Sequence, residues 1–410
     1  MISLRKLAPA LCLGVALQGT TAMAEEVLFY HDKGFWSEAL AKVGDASEAA
    51  TGVKIAESPY SSAEQYKAFV QSSIASGKAP EMFSWWGGQS LNDLVATGKI
   101  APLDDVWKTA IDSGDFPAST ADLFSVDGKP YGLPMHIGKW AVLFNKDIFA
   151  EVGVEAPATW ADLEMVAEKL KAAGHTPFAA TVQDGWRGFI WFQELLLRTN
   201  PDAYAKIHTG ELAYDSDEIR EVFQLWSELF AKGWFTDVRS NREIEDFAAG
   251  GAGMYLIGDW AIGLLESNNL PIVKMGAFVM PNVDASIPPA VIVEGSPIVF
   301  STEAGQDEAY IKAAEYWMSA DGANVWGAAS GNSIGNVNAE APNEILSSLD
   351  ASINEMGASA VLRWWELVPA QLQGELVAEF NSFMLDPTME QAEAVMANIQ
   401  ALNAEYWADQ

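Results

Sequence analysis

Short apolar runs alternate with amphipathic helical patterns along this chain, and that alternation constrains the fold more than any other feature. Strand-like runs at 27–30 and 53–56 precede helical patterns at 35–50 and 62–76, and a glycine lies just after each helical pattern. A βαβα order places parallel strands in a sheet and packs the helices against its faces. The sequence therefore predicts an α/β fold.

The first 24 residues have the pattern of a cleavable secretory signal. Arg5 and Lys6 form a basic region, residues 7–17 are apolar but too short to span a bilayer, and residues 22–24 (Ala-Met-Ala) have the small-x-small pattern of a cleavage site. We therefore predict a signal peptide over 1–24 and a mature chain that begins at Glu25.

Cysteine usage and charge narrow the location and the partners. Cys12 is the only cysteine, and the residue before it, Leu11, is not the small residue of a lipoprotein signal. Without Arg5 and Lys6 the chain has 22 basic and 56 acidic residues, a net charge of −34. Such a field repels phosphate backbones and anionic lipids, which argues against nucleic-acid and membrane-surface functions. We expect a soluble periplasmic protein without a lipid anchor or a disulfide.

The length of the chain and its proline-containing segments indicate how it is divided into lobes. A mature chain of roughly 385 residues exceeds one typical domain, so two lobes are expected. Proline-containing segments at 128–131 and 287–291 mark two places where a strand could pass from one lobe into the other. The tail carries apolar residues at helical spacing over 358–383 and 388–406, which predicts two long helices.

Five segments carry more specific patterns. Residues 131–178 combine a strand after a proline, an Asn-Lys-Asp turn and a Pro-Ala-Thr-Trp helix start. The others are Asp-Lys-Gly-Phe at 32–35, the block at 79–104, the block at 247–260 that ends in Gly-Asp-Trp, and Val-Glu-Gly-Ser at 293–296. In order and spacing they resemble the extracellular solute-binding proteins of sugar-importing ABC transporters, of the maltose-binding type. That family usually has Gly-Gly where this chain has Glu-Gly at 294–295.

This resemblance implies a two-lobe periplasmic-binding-protein fold with discontinuous lobes joined by hinge crossings. Mapped onto this chain, lobe one holds residues 25–133 and 289–338, and lobe two holds 134–288 and 339–410. The implied function is capture of a carbohydrate, from a monosaccharide to an oligosaccharide or glycoside, between the lobes and its delivery to ABC permease subunits in the inner membrane. The implied protein is a monomer that uses no cofactor or metal and binds no nucleic acid.

Two other functions share these features. A secreted carbohydrate-active enzyme, such as a lyase or a glycosidase, requires two carboxyl groups at a set separation, and no spacing singles out such a pair. The sequence has no His-Glu-x-x-His zinc motif, no Walker phosphate loop and no Gly-x-Ser-x-Gly nucleophile elbow. A ligand sensor that reports to a chemoreceptor has the same fold and stays open. We therefore expect a binding protein rather than an enzyme.

Tryptophan is frequent, and stacking on sugar rings is one physical reason for it. The chain has 16 Trp residues, and a flat aromatic ring suits the apolar C–H face of a sugar while charged groups pair with its hydroxyls. Because adjacent residues of a strand face opposite sides, at most one of Trp85 and Trp86 belongs to the core. One ring of the pair at 364–365 is expected in the cleft. The resemblance also implies a stacking aromatic at Trp260 and acidic and aromatic contacts near residues 184–186.

Polar candidates complete the predicted ligand site. Asp32 and Lys33 follow the first strand at the carboxyl edge of the sheet, where open α/β sheets bind ligands. Arg363 could bind a carboxylate, a sulfonate or a diol through paired hydrogen bonds. The full set of predicted ligand-binding residues is His31, Asp32, Lys33, Trp85, Trp86, His136, Asp184, Trp186, Arg187, Trp260, Glu294, Ser296, Arg363 and Trp364. The residues Trp107, Trp160, Trp191, Trp226 and Trp317 lie at helical apolar spacing and are expected in the core.

Overall fold

The computed structural model describes residues 25–408. The predicted signal peptide, with Cys12, lies outside the described residues. The strands are β1 Glu25–His31, β2 Val53–Pro59, β3 Met82–Ser84, β4 Ser125–Val126, β5 Lys129–Pro130, β6 Gly132–Asn145, β7 Thr176–Ala179, β8 Ala252–Gly258, β9 Met275–Phe278, β10 Ala290–Phe300 and β11 Ser359–Leu362.

Helices connect these strands and cover the sheet. They are α1 Ser37–Thr51, α2 Ala63–Ala75, α3 Gln89–Ala96, α4 Asp104–Asp112, α5 Ala118–Asp122, α6 Lys146–Val152, α7 Trp160–Ala172, α8 Phe189–Thr199, α9 Pro201–Ile207, α10 Asp217–Ala231, α11 Glu243–Ala248, α12 Ala261–Ser267, α13 Glu308–Met318, α14 Ala320–Ser330, α15 Glu344–Met356, α16 Trp364–Leu367, α17 Gln373–Leu385 and α18 Met389–Ala408. No helix within residues 25–408 is long and apolar enough to cross a membrane.

Nine strands form one continuous sheet in the order β2-β1-β3-β10-β6-β8-β7, with β11 beside β10 and β9 beside β6. β1 is parallel to β2 and β3, and β7 is parallel to β8. β6 and β10 are antiparallel to each other. β10 is also antiparallel to β3, and β6 is also antiparallel to β8 and to β9. The α/β class is confirmed. The expectation of parallel pairing is wrong at the centre, because the two long strands pass between the lobes in opposite directions.

Two large hydrophobic cores share the sheet. One core contains Trp140 and Ile292, and the other contains Met135 and Ile298. The chain therefore changes from one core to the other inside β6 and inside β10. The boundary expected at 288–289 falls a few residues before the second changeover, since Ile292 packs with the second lobe. The five tryptophans expected in the core are buried.

Local capping explains why the segment 131–178 folds as a strand followed by two helices. The side chain of Asn145 accepts hydrogen bonds from the amides of Asp147 and Ile148 (3.0 and 3.3 Å), which fixes the start of α6 where β6 ends. Thr159 and Asp162 form a reciprocal capping box at the start of α7. The cap at Asn145 thus marks the end of β6, and the cap at Thr159 marks the start of α7.

The tail differs from the expected pair of long helices. The single helix predicted over 358–383 is wrong: this stretch forms β11, the four-residue helix α16 and most of α17. The helical spacing predicts the wrong element because residues 359–362 pair with the start of β10. Ala290 lies opposite Ser359, and Val293 lies opposite Leu362. Strand pairing in the fold outweighs a local apolar pattern. The last helix, α18, lies where the sequence predicts it.

Candidate functional site

The two long strands bring His136 and Glu294 to the place where the chain passes between the lobes. In the pairing of β6 with β10, Ser296 lies opposite His136 and Glu294 lies opposite Gly138. A Cβ atom at position 138 would lie 2.3 Å from His136 Nε2 and 2.9 Å from Glu294 Cγ. Position 138 must therefore be glycine, because a side chain there would occupy the space that His136 and Glu294 now fill. Ser296 is half-buried beside them.

His136 is buried between two carboxylates without a close hydrogen bond to either. Its Nε2 lies 3.4 Å from Asp259 Oδ1 and 3.6 Å from Glu294 Oε1. Within the described part of the chain, neither ring nitrogen has a hydrogen-bond partner. The edge of the Trp36 ring packs against the imidazole at a centroid distance of 5.8 Å. Two polar atoms are thus held in a buried position where a hydrogen bond to a ligand would satisfy them.

Asp259 is fixed by the backbone of β6. Its amide donates to the carbonyl of Lys139 (2.9 Å), and its Oδ2 accepts from the Lys139 amide (3.0 Å). The other oxygen, Oδ1, points at His136 and has no hydrogen-bond partner among residues 25–408. The side chain is almost completely buried, so this oxygen is an oriented acceptor.

Arg363 binds two carboxylates of the protein. Its Nε donates to Glu366 Oε2 (2.8 Å), while its two terminal nitrogens pair with Glu366 Oε1 and with Glu294 Oε2. Burial alone would lower the pKa of Arg363, but the fields of Glu294 and Glu366 outweigh burial and raise it. Glu294 Oε2 also accepts from the Trp140 indole at 3.1 Å. We call His136, Asp259, Glu294, Arg363 and Glu366 the crossing site.

Of the three ligand groups expected for Arg363, this pairing argues against the carboxylate and the sulfonate, and the contact with a diol stays a prediction. The guanidinium already makes a two-pronged contact to Glu366 and a further contact to Glu294, and it lies 5.5 Å from the centre of the Trp140 ring. Releasing it for an external carboxylate would leave two buried carboxylates without their counter-charge, which is strongly unfavourable. Arg363 therefore bridges Glu294 and Glu366 within the crossing site.

Lobe one contributes a small polar group at the end of β1. Lys33 Nζ donates to both oxygens of Asp32 at 2.8 Å and lies 5.5 Å from the centre of the Trp86 ring. Ser84, at the end of the neighbouring β3, lies 3.5 Å from Asp32 Oδ1. The carboxyl ends of these parallel strands thus place Asp32, Lys33 and Trp86 together, as the position after β1 predicts.

Lobe one touches the tail through a glycine. Gly88 has φ +58° and ψ −134°, a conformation that L-residues rarely adopt, and a Cβ atom there would lie only 1.8 Å from the carbonyl oxygen of Glu366. At Gly87 a Cβ would lie 2.8 Å from the carbonyl oxygen of Gly295. The backbone before α3 therefore lies directly against the crossing site.

Four half-buried tryptophans lie around these polar groups, and we call Trp86, Trp186, Trp260 and Trp365 the aromatic rim. The rings of Trp186 and Trp260 are 6.1 Å apart, and Trp260 packs against both hydrophobic cores. Trp365 packs on Phe189 at 5.5 Å, and its indole nitrogen has no hydrogen-bond partner within the described residues. The rim therefore offers aromatic faces beside oriented polar atoms.

Arg187 and Asp184 differ in burial. Arg187 is buried and pairs with Glu243 (2.6 Å) and with the hydroxyl of Tyr255 (2.5 Å). Its guanidinium also packs 4.5 Å from the centre of the Trp186 ring. Arg187 is thus already paired within the protein and packs on the Trp186 ring, and its contact with a ligand stays a prediction. Asp184 is exposed, with φ +65°.

Three further expectations need correction. His31 is fully buried, and both ring nitrogens are used, Nε2 by Glu57 at 2.8 Å and Nδ1 by the Lys33 amide at 3.1 Å. Trp85 is buried, with its indole donating to the Ser90 carbonyl, so Trp86 is the ring on the open side. Trp364 is buried among core aromatics and donates to the Tyr214 hydroxyl at 3.0 Å, so its neighbour Trp365 belongs to the rim.

Sequence reasoning missed three residues of this site. Asp259 stands beside Trp260 in the Gly-Asp-Trp motif, and an acidic residue between a buried strand and a helix is a usable signal. Glu366 could have been found from its spacing of three residues from Arg363, which places both on one helical face. The sequence predicts that one of Trp364 and Trp365 lies in the cleft, and the predicted set names Trp364. In the structure Trp365 is the half-buried ring, packed on Phe189.

The assembled groups suit recognition of a polyhydroxylated ligand. Oriented acceptors, an imidazole and an indole N–H can hydrogen-bond to hydroxyls, while the ring faces suit apolar C–H groups. Among residues 25–408 there is no group of three His, Cys, Asp or Glu side chains arranged to hold a metal ion.

Comparison with known families gives a match over most of the chain. The model of the bacterial extracellular solute-binding proteins matches residues 42–350. An uncharacterized ABC transporter extracellular-binding protein of Pyrococcus horikoshii is 26% identical over 284 residues, 64% of this chain and 62% of that protein. An alpha-glucosides-binding periplasmic protein of Rhizobium meliloti is 27% identical over 198 residues, 45% of this chain and 41% of that protein. The chain thus spans less than two thirds of the length of these relatives.

Solved structures match nearly the whole fold. The bacterial solute receptor AcbH, described as having an exclusive preference for β-D-galactopyranose, aligns with a TM-score of 0.82 and 21% identity, covering 93% of this chain and 99% of that one. A chitin oligosaccharide binding protein aligns with a TM-score of 0.76 and 21% identity, over 93% and 98% of the two chains. These likenesses confirm the two-lobe architecture expected from the sequence.

Proposed function

The chain belongs to the bacterial extracellular solute-binding proteins, and we propose that it binds a carbohydrate between its two lobes and delivers it to the permease of an ABC transporter. Membership of this family places the chain in the periplasm or outside the cell. The predicted signal peptide and the lack of a lipoprotein signal favour a free periplasmic protein. The permease subunits in the inner membrane would be its protein partners.

One observation supports the carbohydrate most strongly. The buried atoms His136 Nδ1, His136 Nε2 and Asp259 Oδ1 have no hydrogen-bond partner in the described chain. The half-buried ring of Trp260 directly follows Asp259 in the sequence, and the ring of Trp186 lies 6.1 Å from it. Buried polar groups without partners are rare and costly. A sugar hydroxyl can donate to one such atom and accept from another, while its ring stacks on indole.

The way Glu294 and Glu366 are held supports binding without catalysis. Glu294 and Glu366 share Arg363, so both are occupied by a permanent counter-charge. A glycosidase needs one carboxyl group that carries a proton and a second that is free to attack or to activate water. We therefore infer that the bound sugar leaves unchanged. The relatives described above are binding proteins by name.

A thermal-shift screen tests this function. Residues 25–410 would be heated with D-galactose, D-glucose, maltose, raffinose and chitobiose. A ligand at 100 times its dissociation constant adds about 2.7 kcal/mol to stability. Glycerol at the same concentration is the control, since it stabilises by exclusion from the surface rather than by binding. At least one sugar is expected to exceed glycerol at millimolar concentration, and equal shifts for all compounds would contradict a sugar carrier.

A further inference from the structure

Every basic side chain around the crossing site is already matched by a carboxylate of the protein. Lys33 binds Asp32 through both oxygens, and Arg363 binds Glu294 and Glu366. Farther out, the basic groups pair in the same way: Arg187 with Glu243 and Asp184, and Lys139 with Asp350. These are six carboxylates for four basic side chains, and Asp259, which faces His136, is a seventh. Apart from His136, carboxylates therefore outnumber basic groups here, and the local field is negative.

The crossing site leaves one carboxylate oxygen and both ring nitrogens of His136 without a hydrogen-bond partner within residues 25–408. Asp259 Oδ1 is buried and lacks a partner within residues 25–408, and Glu294 Oε1 faces the same imidazole at 3.6 Å. A carboxylate without its proton can only accept hydrogen bonds. A ligand atom that reaches these oxygens must therefore carry a hydrogen. Hydroxyl groups meet this requirement, whereas a carboxylate or sulfonate offers more acceptors and a second negative charge.

We propose that this site selects uncharged sugars and rejects their acidic counterparts, the uronates and sulfonated sugars. The inference rests on the proposed function and narrows its ligand class. An anion entering the site meets more carboxylates than basic side chains in a buried environment, where like charges repel more strongly than in water. It would also lose its hydration without gaining a free cation, since Lys33 and Arg363 are engaged. Rejection by unpaired like charge is a common route to specificity.

The negative field cannot be relieved cheaply by rearrangement. Freeing Arg363 for a ligand would leave Glu294 and Glu366 buried without a counter-charge. Freeing Lys33 would likewise leave Asp32 without a counter-charge, and the side chain of Asp32 is only 5% exposed. The discrimination is therefore built into the fold on both lobes.

Matched pairs of sugars that differ only at C6 test the proposal. Calorimetric titrations would compare D-galactose with D-galacturonate and D-glucose with D-glucuronate. For whichever pair binds, the neutral member is expected to bind at least tenfold more tightly. A uronate that binds as tightly as its neutral partner overturns the selection while leaving the carrier function intact. If neither these sugars nor the thermal-shift panel bind, the carrier function itself fails, and the inference with it.

A charge variant checks the cause. Asp259→Asn removes one negative charge and adds a donor, so the ratio of neutral to acidic affinity is expected to fall severalfold even if both affinities change. Glu228→Gln on the exposed face of α10 makes the same change in net charge far from the site and is expected to leave the ratio unaltered. An equal ratio in Asp259→Asn and the unsubstituted protein would assign the selection to something other than this field.

Discussion

Gly88→Ala is the substitution that most directly tests whether contact between the lobes supports ligand binding. The new Cβ would lie 1.8 Å from the Glu366 carbonyl oxygen and 2.5 Å from its carbonyl carbon. Because both are backbone atoms, no rotation of a side chain relieves the clash. The two segments must move apart by about 1.5–2 Å to reach ordinary contact, and the backbone conformation of Gly88 adds strain on the order of 1–3 kcal/mol for alanine.

The expected result is a weaker closed form. The backbone strain acts in every state, so only the clash with Glu366 can weaken binding. If that clash costs about 1–3 kcal/mol when the lobes are together, the affinity for the sugar that stabilises the protein most falls roughly 5- to 150-fold. Calorimetry measures the affinity. Spin labels on Asp105→Cys and Glu221→Cys, one exposed position in each lobe, report the distance between lobes. Residues 25–410 contain no other cysteine to label.

Gly98→Ala is the matched control. Gly98 also has positive φ, +68°, but a Cβ there meets nothing within 4 Å. It therefore carries backbone strain without the clash, and its ligand affinity should equal that of the unsubstituted protein. Equal affinities and equal label distances for Gly88→Ala and Gly98→Ala would refute the reasoning, because the contact with Glu366 would then play no part in closure.

Three other perturbations have defined outcomes. Trp260→Ala should weaken sugar binding by about 1–3 kcal/mol without unfolding the protein, as measured by calorimetry and circular dichroism, since it removes a stacking ring. Glu194→Ala leaves the buried charge of Arg198 unpaired and should cost about 3–5 kcal/mol in urea unfolding, whereas Glu308→Ala in an exposed helical pair should cost far less. Burial lowers the pKa of His31, outweighing the opposite effect of its contact with Glu57. His31 therefore gains its proton near pH 6.5 in the unfolded chain and only at lower pH in the folded chain. The free energy of unfolding should fall as the pH drops below about 6.5. His31→Gln should flatten this dependence, and an unchanged slope would contradict the assignment.

The sequence predicts the architecture well because its signals are local and repeated. The caps at Asn145 and Thr159 and the alternation of strands and helices each fix a short segment, and the family patterns place those segments in order. The tail was harder. Residues 359–362 form a strand only because the start of β10 lies beside them, and a partner some 70 residues away leaves no mark on local spacing.

The candidate site was less predictable because it depends on which side of an element faces inward. Adjacent tryptophans at 85–86 and 364–365 look equivalent in the sequence, yet hydrogen bonds to Ser90 and Tyr214 bury one ring of each pair. Charge pairing is equally hidden. Arg363 has the chemistry of an anion receptor, but Glu294, 69 residues away in the chain, occupies it.

Native mass spectrometry of residues 25–410 with neutral sugars tests the central claim most directly, because one spectrum shows both binding and chemical change. The protein would be incubated with the most stabilising sugar in slight excess and sampled over a day. We predict one adduct per chain, with the mass of the intact sugar at every time. A spectrum without any adduct, or one in which the bound and free sugar shift to the masses of hydrolysed or eliminated products, would contradict the assignment of this chain as a carbohydrate carrier.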